Sequence, residues 1–119
     1  MREETKEWLE KAKRDLDAAR YNYEGDLYEV AAFLCQQSAE KALKALYIEK
    51  FCELVKTHDL HFLAKKLGAP QEIIDSCKEL STYFVESRYP GGYAKFGAQN
   101  VLEAIKKAGM VLEWAKGKI

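Results

Sequence analysis

The sequence predicts an all-α fold, an up-and-down helical bundle of four main helices plus one short helix. Apolar residues recur at three- and four-residue spacing along nearly the whole chain, which is the period of one helix face. Residues that interrupt helices are few, because the only prolines are Pro70 and Pro90 and the glycines fall mostly between periodic segments. The sequence contains no hairpin signal and no internal repeat, so no strand-based architecture competes with this prediction.

The first two predicted helices are residues 5–23 and 26–52. We expect Thr5 to cap the start of the first helix, because its hydroxyl can accept from an orphan backbone N–H, and Gly25 to end it. We expect Asp26 to cap the second helix, whose apolar residues cover more than one face and so predict a central position. The stripe of the first helix is Trp8, Leu9, Ala12, Leu16, Ala19 and Tyr23. The apolar residues of the second include Leu27, Val30, Ala31, Leu34, Ala42 and Leu46.

A short third helix and a longer fourth helix follow. Either Thr57 or Asp59 can cap the short helix, and Gly68 closes it. Pro70 opens the fourth helix at a favoured first-turn position, because a proline there loses no intrahelical hydrogen bond. The apolar stripe of the short helix is Leu60, Leu63 and Leu67, and that of the fourth is Ile73, Cys77, Leu80 and Phe84.

The fifth predicted helix covers about residues 98–116. Its small residues Ala108 and Gly109 permit a close contact with a neighbouring helix. Its apolar positions are Val101, Ile105, Ala108, Leu112 and Ala115.

Length, charge and cysteine content limit the class of protein. The 119 residues predict one domain, residues 1–119, and their 19 Lys and Arg balance 19 Asp and Glu. This balance argues against a protein that coats DNA or lies on a membrane surface. The charged start and the lack of an apolar run of about 20 residues predict a soluble cytoplasmic protein with no membrane contact. Cys35, Cys52 and Cys77 show no CxxC spacing, so we expect free thiols.

The stretch from Arg88 to Gly97 is the first candidate for a site. It has two cations, three aromatic residues, three glycines and no acid, and it lies in a predicted loop between helices. The planar guanidinium of Arg88 suits a phosphate, while Tyr89 and Tyr93 can stack on bases and Lys95 adds positive charge. A structural alternative remains: an arginine that favours a helix C-terminus, followed by a turn whose aromatic residues pack on the core.

The two histidines, His58 and His61, are three residues apart. That spacing would place both on one helix face, but a third metal ligand is not evident, so we expect a role at a helix start and no metal site. The sequence also shows no Ser-His-Asp or Cys-His arrangement and no Walker-type phosphate loop.

A polar face of the long second helix is the remaining candidate. Gln37, Lys41 and Lys44 share this face, and Glu40 lies four residues before Lys44. The simple interpretation is a solvated face with an ion pair worth a few tenths of a kcal/mol. The functional interpretation is that part of this face lines a cleft with Arg88 or meets a second subunit.

Several segments taken in series resemble the HEPN domain, a small helical bundle. Their order and spacing match over essentially the whole chain. They are Trp8 with Ala12 to Leu16, AAFLCQQSAEKALKAL at 31–46, KTHDL at 56–60 with Leu63, and Ser87 to Pro90. The resemblance implies a five-helix bundle that forms a homodimer through its long helices. It also implies a link to nucleotides or RNA, since many members act with a minimal nucleotidyltransferase, some as toxin–antitoxin pairs.

The resemblance also bears on catalysis. Toxin members are metal-independent ribonucleases that carry an arginine, four to six further residues and then a histidine. Arg88 matches the arginine, but the permitted partner positions hold Tyr93, Ala94 and Lys95. Histidine titrates near neutrality, whereas tyrosine and lysine, at about 10 and 10.4, do not. The sequence therefore favours binding over catalysis by this chain alone, and if any catalysis remains it would use Arg88 with His58 or Tyr93.

Three functions follow from these observations. The first is a HEPN-like homodimer that binds a nucleotide or RNA and acts with a nucleotidyltransferase, possessing no cofactor. Its expected site residues are Arg88, Tyr89, Tyr93, Lys95, His58, Lys41 and Lys44. The second is a protein-interaction module with no ligand of its own. The third is a metal-independent ribonuclease with a degenerate motif.

Overall fold

The computed structural model describes residues 1–86 and 96–119. Five α-helices and no strand occur in these residues, which confirms the all-α prediction for them. The helices are α1 (Glu3–Glu24), α2 (Tyr28–Phe51), α3 (Leu60–Lys66), α4 (Gln71–Glu86) and α5 (Ala98–Lys118). None of the described helices is both long enough and apolar enough to cross a membrane.

The long helix α2 is the centre of the molecule, as predicted. It packs against each of the other four helices, and most of its residues between Ala31 and Ile48 are buried. Five alanines of α2 are buried, and such small side chains let neighbouring helices approach closely; Leu43 is fully buried among them. The first turn differs from the prediction, because Leu27 and Val30 are exposed.

The start of α1 differs from the prediction that Thr5 caps it. The helix begins at Glu3, with Arg2 in the N-cap position and no side-chain cap. Thr5 lies inside the helix, is fully buried and donates its hydroxyl to Glu49 Oε1 at 3.0 Å. The same carboxylate accepts the backbone N–H of Arg2 at 3.1 Å, and these two hydrogen bonds hold the pKa of Glu49 below its usual value. A contact between helices has therefore replaced the local cap.

The prediction that Asp26 caps α2 is also wrong, although Gly25 does end α1. Asp26 adopts the left-handed conformation with a φ of 62°. Its N–H bonds the carbonyl of Tyr23 at 3.1 Å, and the N–H of Leu27 bonds the carbonyl of Asn22 at 2.8 Å. These two bonds form a Schellman motif, which satisfies the last carbonyls of α1. Asp26 thus completes the end of α1 and is not available to cap α2.

The connections around α3 agree with the sequence. Of the two candidate caps, Asp59 is the one used, because its carboxylate accepts the N–H of Phe62 at 3.0 Å while Thr57 bonds Asp59 itself. Gly68 closes the helix with a φ of 71°, a conformation that costs other residues more than glycine. Pro70 differs slightly from the prediction, because it lies directly before α4 and not in its first turn; its carbonyl accepts backbone hydrogen bonds from the first turn of that helix.

The predicted apolar stripes of α1, α4 and α5 form the core around α2. All five predicted positions of α5 are buried, and so are Ile73, Cys77 and Leu80 of α4. A hydrogen bond ties α1 to α2, since the buried Ser38 hydroxyl donates to the carbonyl of Ala12 at 2.7 Å. Gly109 is not needed for a close approach, because a Cβ added there would lie 4.0 Å from its nearest neighbour, an ordinary contact.

The three free thiols are expected to differ in reactivity. Burial raises the pKa of Cys35 and of Cys77 to about 12, so both remain protonated and shielded at pH 8, whereas Cys52 is exposed. With a thiol-reactive dye at pH 8 we expect one fast equivalent in the native protein and three equivalents in denaturant. Cys52→Ser should remove the fast equivalent. Rapid labelling of Cys35 or Cys77 in the folded protein would contradict the burial.

Candidate functional site

The predicted site residues divide into two groups. Four of them lie outside the described residues: Arg88, Tyr89, Tyr93 and Lys95. The other three, Lys41 and Lys44 of α2 and His58 from the segment before α3, are described.

A buried polar cluster surrounds Glu40 of α2. Its carboxylate is met by the ammonium of Lys44 at 3.0 Å, by the side-chain amide of Gln36 at 3.2 Å and by Nδ1 of His58 at 2.9 Å. Gln37 extends the cluster by donating to Gln36 at 2.7 Å. Glu40 is 3% exposed and Lys44 6%, so this ion pair is buried and the expectation of a solvated pair is wrong. Because other helices cover this part of α2, its buried polar side chains need partners, which they find on α2 itself or on neighbouring segments.

His58 is held by two contacts from different parts of the chain. A carboxylate only accepts hydrogen bonds, so we assign the ring proton to Nδ1, which leaves Nε2 unoccupied by this contact. The ring also stacks on Phe84 near the end of α4, with centroids 4.4 Å apart and planes inclined by 21°. More than half of the His58 side chain, 59%, remains exposed. His58 therefore bridges α2 and α4 and does not serve as the cap of α3.

His58 forms one wall of a cleft of about 290 Å³ between α1, α2 and the segment before α3. We call it the His58 cleft; it is lined by Trp8, Lys44, Leu54, Val55, Lys56, Thr57 and His58. Among the side chains that the structure describes, no acid lines it, and Lys56 is exposed with no carboxylate partner. The ammonium of Lys44 lies 5.7 Å from the centroid of the Trp8 ring, a cation–π contact that fixes the indole at the wall.

Lys41 lies apart from this cleft. Its ammonium pairs with the carboxylate of Asp15 on α1, and both side chains are about one-fifth exposed. Lys41 also lines a second cleft of about 530 Å³, on the part of α1 that carries Trp8. The structure therefore brings His58 and Lys44 together and separates them from Lys41.

The His58 cleft has the chemistry of a site for an anion that carries a flat ring. Trp8 offers a fixed aromatic face, Lys56 an unpaired positive charge, and His58 a second ring nitrogen, Nε2, that accepts a hydrogen bond in the assigned tautomer. Among the described residues no group of three or more His, Cys, Asp and Glu is placed to hold a metal ion. His61 does not line the cleft.

Trp8 and Lys56 were missed as site residues from the sequence. Trp8 appeared as part of the apolar stripe of α1, yet it is only partly buried and lies at the edge of the core. A tryptophan that has a charged neighbour one helical turn later indicates a position at the edge of the apolar stripe, and this signal could have identified Trp8. Lys56 gave no periodic signal, because it belongs to the connection between α2 and α3.

Comparison with known proteins identifies the family. The HEPN domain model matches residues 5–118. The crystal structure of TT1696 from Thermus thermophilus is similar over 97% of this chain and 98% of its own, with a TM-score of 0.91 and 26% identity. The crystal structure of ST0689, an archaeal HEPN homologue, is similar over 95% of each chain, with a TM-score of 0.84 and 34% identity. No curated protein sequence gives a significant match. The chain therefore belongs to the HEPN domain family.

Proposed function

We propose that this protein is a homodimeric HEPN protein that binds a nucleotide or RNA and acts with a nucleotidyltransferase partner, in a pair of the toxin–antitoxin type. In this proposal residues 1–119 fold as one domain, an up-and-down bundle that dimerises through its long helices. The observation that carries the binding function is the His58 cleft, in which Trp8, Lys56 and His58 meet and whose described lining residues include no acid.

Base stacking and phosphate binding require different groups, and the His58 cleft supplies both. An indole held by a cation–π contact is a stacking surface whose orientation is already fixed before the ligand arrives. Lys56 provides charge for a phosphate without first breaking an ion pair. Arg88, Tyr89, Tyr93 and Lys95 belong to the proposed site on the strength of the sequence, because this stretch supplies two cations and aromatic side chains and contains no acid.

Lys44 has a different role in this site from the one that the sequence indicated. Its ammonium is buried and engaged by Glu40, so contact with a phosphate would leave Glu40 without its countercharge. We therefore assign Lys44 to the support of Trp8. Lys41, which pairs with Asp15, would likewise need to break an ion pair before it could bind a ligand.

The residues of this chain favour the binding of RNA over its cleavage in the absence of a partner protein. The proposed site contains one histidine, His58, and the positions after Arg88 that would hold a ribonuclease histidine are Tyr93, Ala94 and Lys95. General acid–base cleavage needs groups that titrate near neutrality, and neither tyrosine nor lysine ordinarily does so.

A titration with nucleotide and short RNA tests the proposal. We expect Lys56→Ala and Arg88→Ala each to weaken binding about tenfold, as the loss of one charge-assisted hydrogen bond does. Lys78→Ala is the matched control, because Lys78 is an exposed cation of α4 that does not line the His58 cleft. Unchanged affinity in both Lys56→Ala and Arg88→Ala, with circular dichroism showing an intact fold, would contradict the proposal.

The same preparation tests the assembly. Light scattering should give twice the 13.6 kDa mass of one chain, and co-expression with a nucleotidyltransferase encoded nearby should give a stable complex. A stoichiometric protein partner with no nucleotide or RNA bound would instead favour the interaction module.

A further inference from the structure

We infer that the ligand is single-stranded nucleic acid that spans two clefts meeting at Trp8. This inference rests on the proposed function, because it takes the His58 cleft as one nucleotide site. It adds a second subsite on α1 that the sequence did not indicate, and it specifies a strand in place of a single nucleotide.

The geometry that carries the inference is the position of Trp8. The larger cleft, of about 530 Å³, is lined by Glu7, Trp8, Glu10, Lys11, Arg14 and Lys41, and we call it the Arg14 cleft. Trp8 is the residue that this cleft shares with the His58 cleft. The two clefts therefore adjoin at one indole ring. Small-molecule sites have volumes of about 300–1,000 Å³; the Arg14 cleft lies within this range, and the His58 cleft, of about 290 Å³, lies at its lower end.

Positive charge is available in both clefts. Lys11 and Arg14 form no ion pair with the described residues, and they lie three residues apart on α1, on one side of the helix. Lys56 provides the corresponding charge in the His58 cleft. A single nucleotide would occupy one of these clefts, whereas a strand alternates phosphates with bases and would engage cations on both sides of Trp8.

The polarity of the Arg14 cleft favours an unpaired strand. Bases in a duplex are stacked and paired inside the helix, so they cannot stack on a protein ring, whereas the bases of a single strand present free faces and edges. Glu7 and Glu10 also line this cleft, and they would repel a phosphate. Carboxylates accept hydrogen bonds from the amino groups of bases, so we assign the acids to a base edge and the cations Lys11 and Arg14 to phosphates.

Oligoadenylates of increasing length test this inference. Trp114→Phe removes the tryptophan that lines a different cleft, so that quenching of the remaining indole reports on Trp8. In the Trp114→Phe protein we expect the affinity to rise about tenfold or more from AMP to the single-stranded tetramer. The rise is expected because the tetramer adds at least one stacked base or phosphate contact. Arg14→Ala should abolish the rise and leave AMP binding unchanged, whereas Lys56→Ala should weaken both ligands.

Lys13→Ala is the matched control, because Lys13 is an exposed cation of α1 that lines neither cleft. Equal affinity for AMP and the tetramer, or a duplex bound as tightly as the single strand, would overturn the inference while the proposed nucleotide site survives. The inference would also be overturned if Arg14→Ala and Lys13→Ala had the same affinities for AMP and the tetramer. If neither AMP nor any oligonucleotide bound, both this inference and the proposed nucleotide-binding function would be overturned.

Discussion

Replacing Glu40 with alanine is expected to destabilise the protein by about 3–5 kcal/mol, the cost of removing one partner of a buried ion pair. The ammonium of Lys44 would stay buried without a countercharge, because it is 6% exposed and its 3.0 Å contact with Glu40 is lost. Gln36 and His58 would lose the acceptor that both now share. Urea denaturation followed by circular dichroism measures the change.

Two further variants separate the buried charge from a simple loss of contacts. The double variant Glu40→Leu with Lys44→Met removes both charges and keeps apolar volume, so it should be far less destabilised than Glu40→Ala. Glu103→Ala breaks an exposed pair with Lys106 and should change stability by less than about 1 kcal/mol. A loss below about 1 kcal/mol in Glu40→Ala itself would show that water reaches the pair.

The helices could be predicted because each depends on local periodicity. The predicted residues 5–23 and 26–52 correspond to α1 at Glu3–Glu24 and α2 at Tyr28–Phe51. The errors at Thr5 and Asp26 arose because each residue takes part in another interaction: the hydroxyl of Thr5 bonds a partner on another helix, and the backbone of Asp26 closes the end of α1. For Thr5 this partner was Glu49 on another helix, which no local pattern indicates.

The site could be predicted only in part, because its residues come together through packing. Periodicity placed Lys44 on a polar face of the second helix, but it did not show that other helices cover that face. The bond from His58 to Glu40 joins residues 18 positions apart, and its stack on Phe84 depends on where α4 lies. Trp8 became a site residue because of its place at the core edge, which the stripe of α1 alone does not specify.

Leu43→Ala is the second large effect that we expect, a destabilisation of about 2–5 kcal/mol. Leu43 is 0% exposed and lies in the middle of α2, which packs against all four other helices. Two of its neighbours on the helix, Ala39 and Ala42, are too small to fill the space that the leucine would leave. Within that range the cost grows with the volume of the cavity that remains.

Leu27→Ala is the matched control, because it makes the same chemical change directly before the first turn of α2, where the side chain is 49% exposed. We expect a change within about 0.5 kcal/mol, typical of surface substitutions. Thermal and urea denaturation of both variants measure the difference. If Leu43→Ala and Leu27→Ala had equal effects, the placement of α2 at the centre of the bundle would be wrong. A selective loss in Leu43→Ala would confirm that α2, which also carries Glu40 and Lys44, lies at the centre of the core.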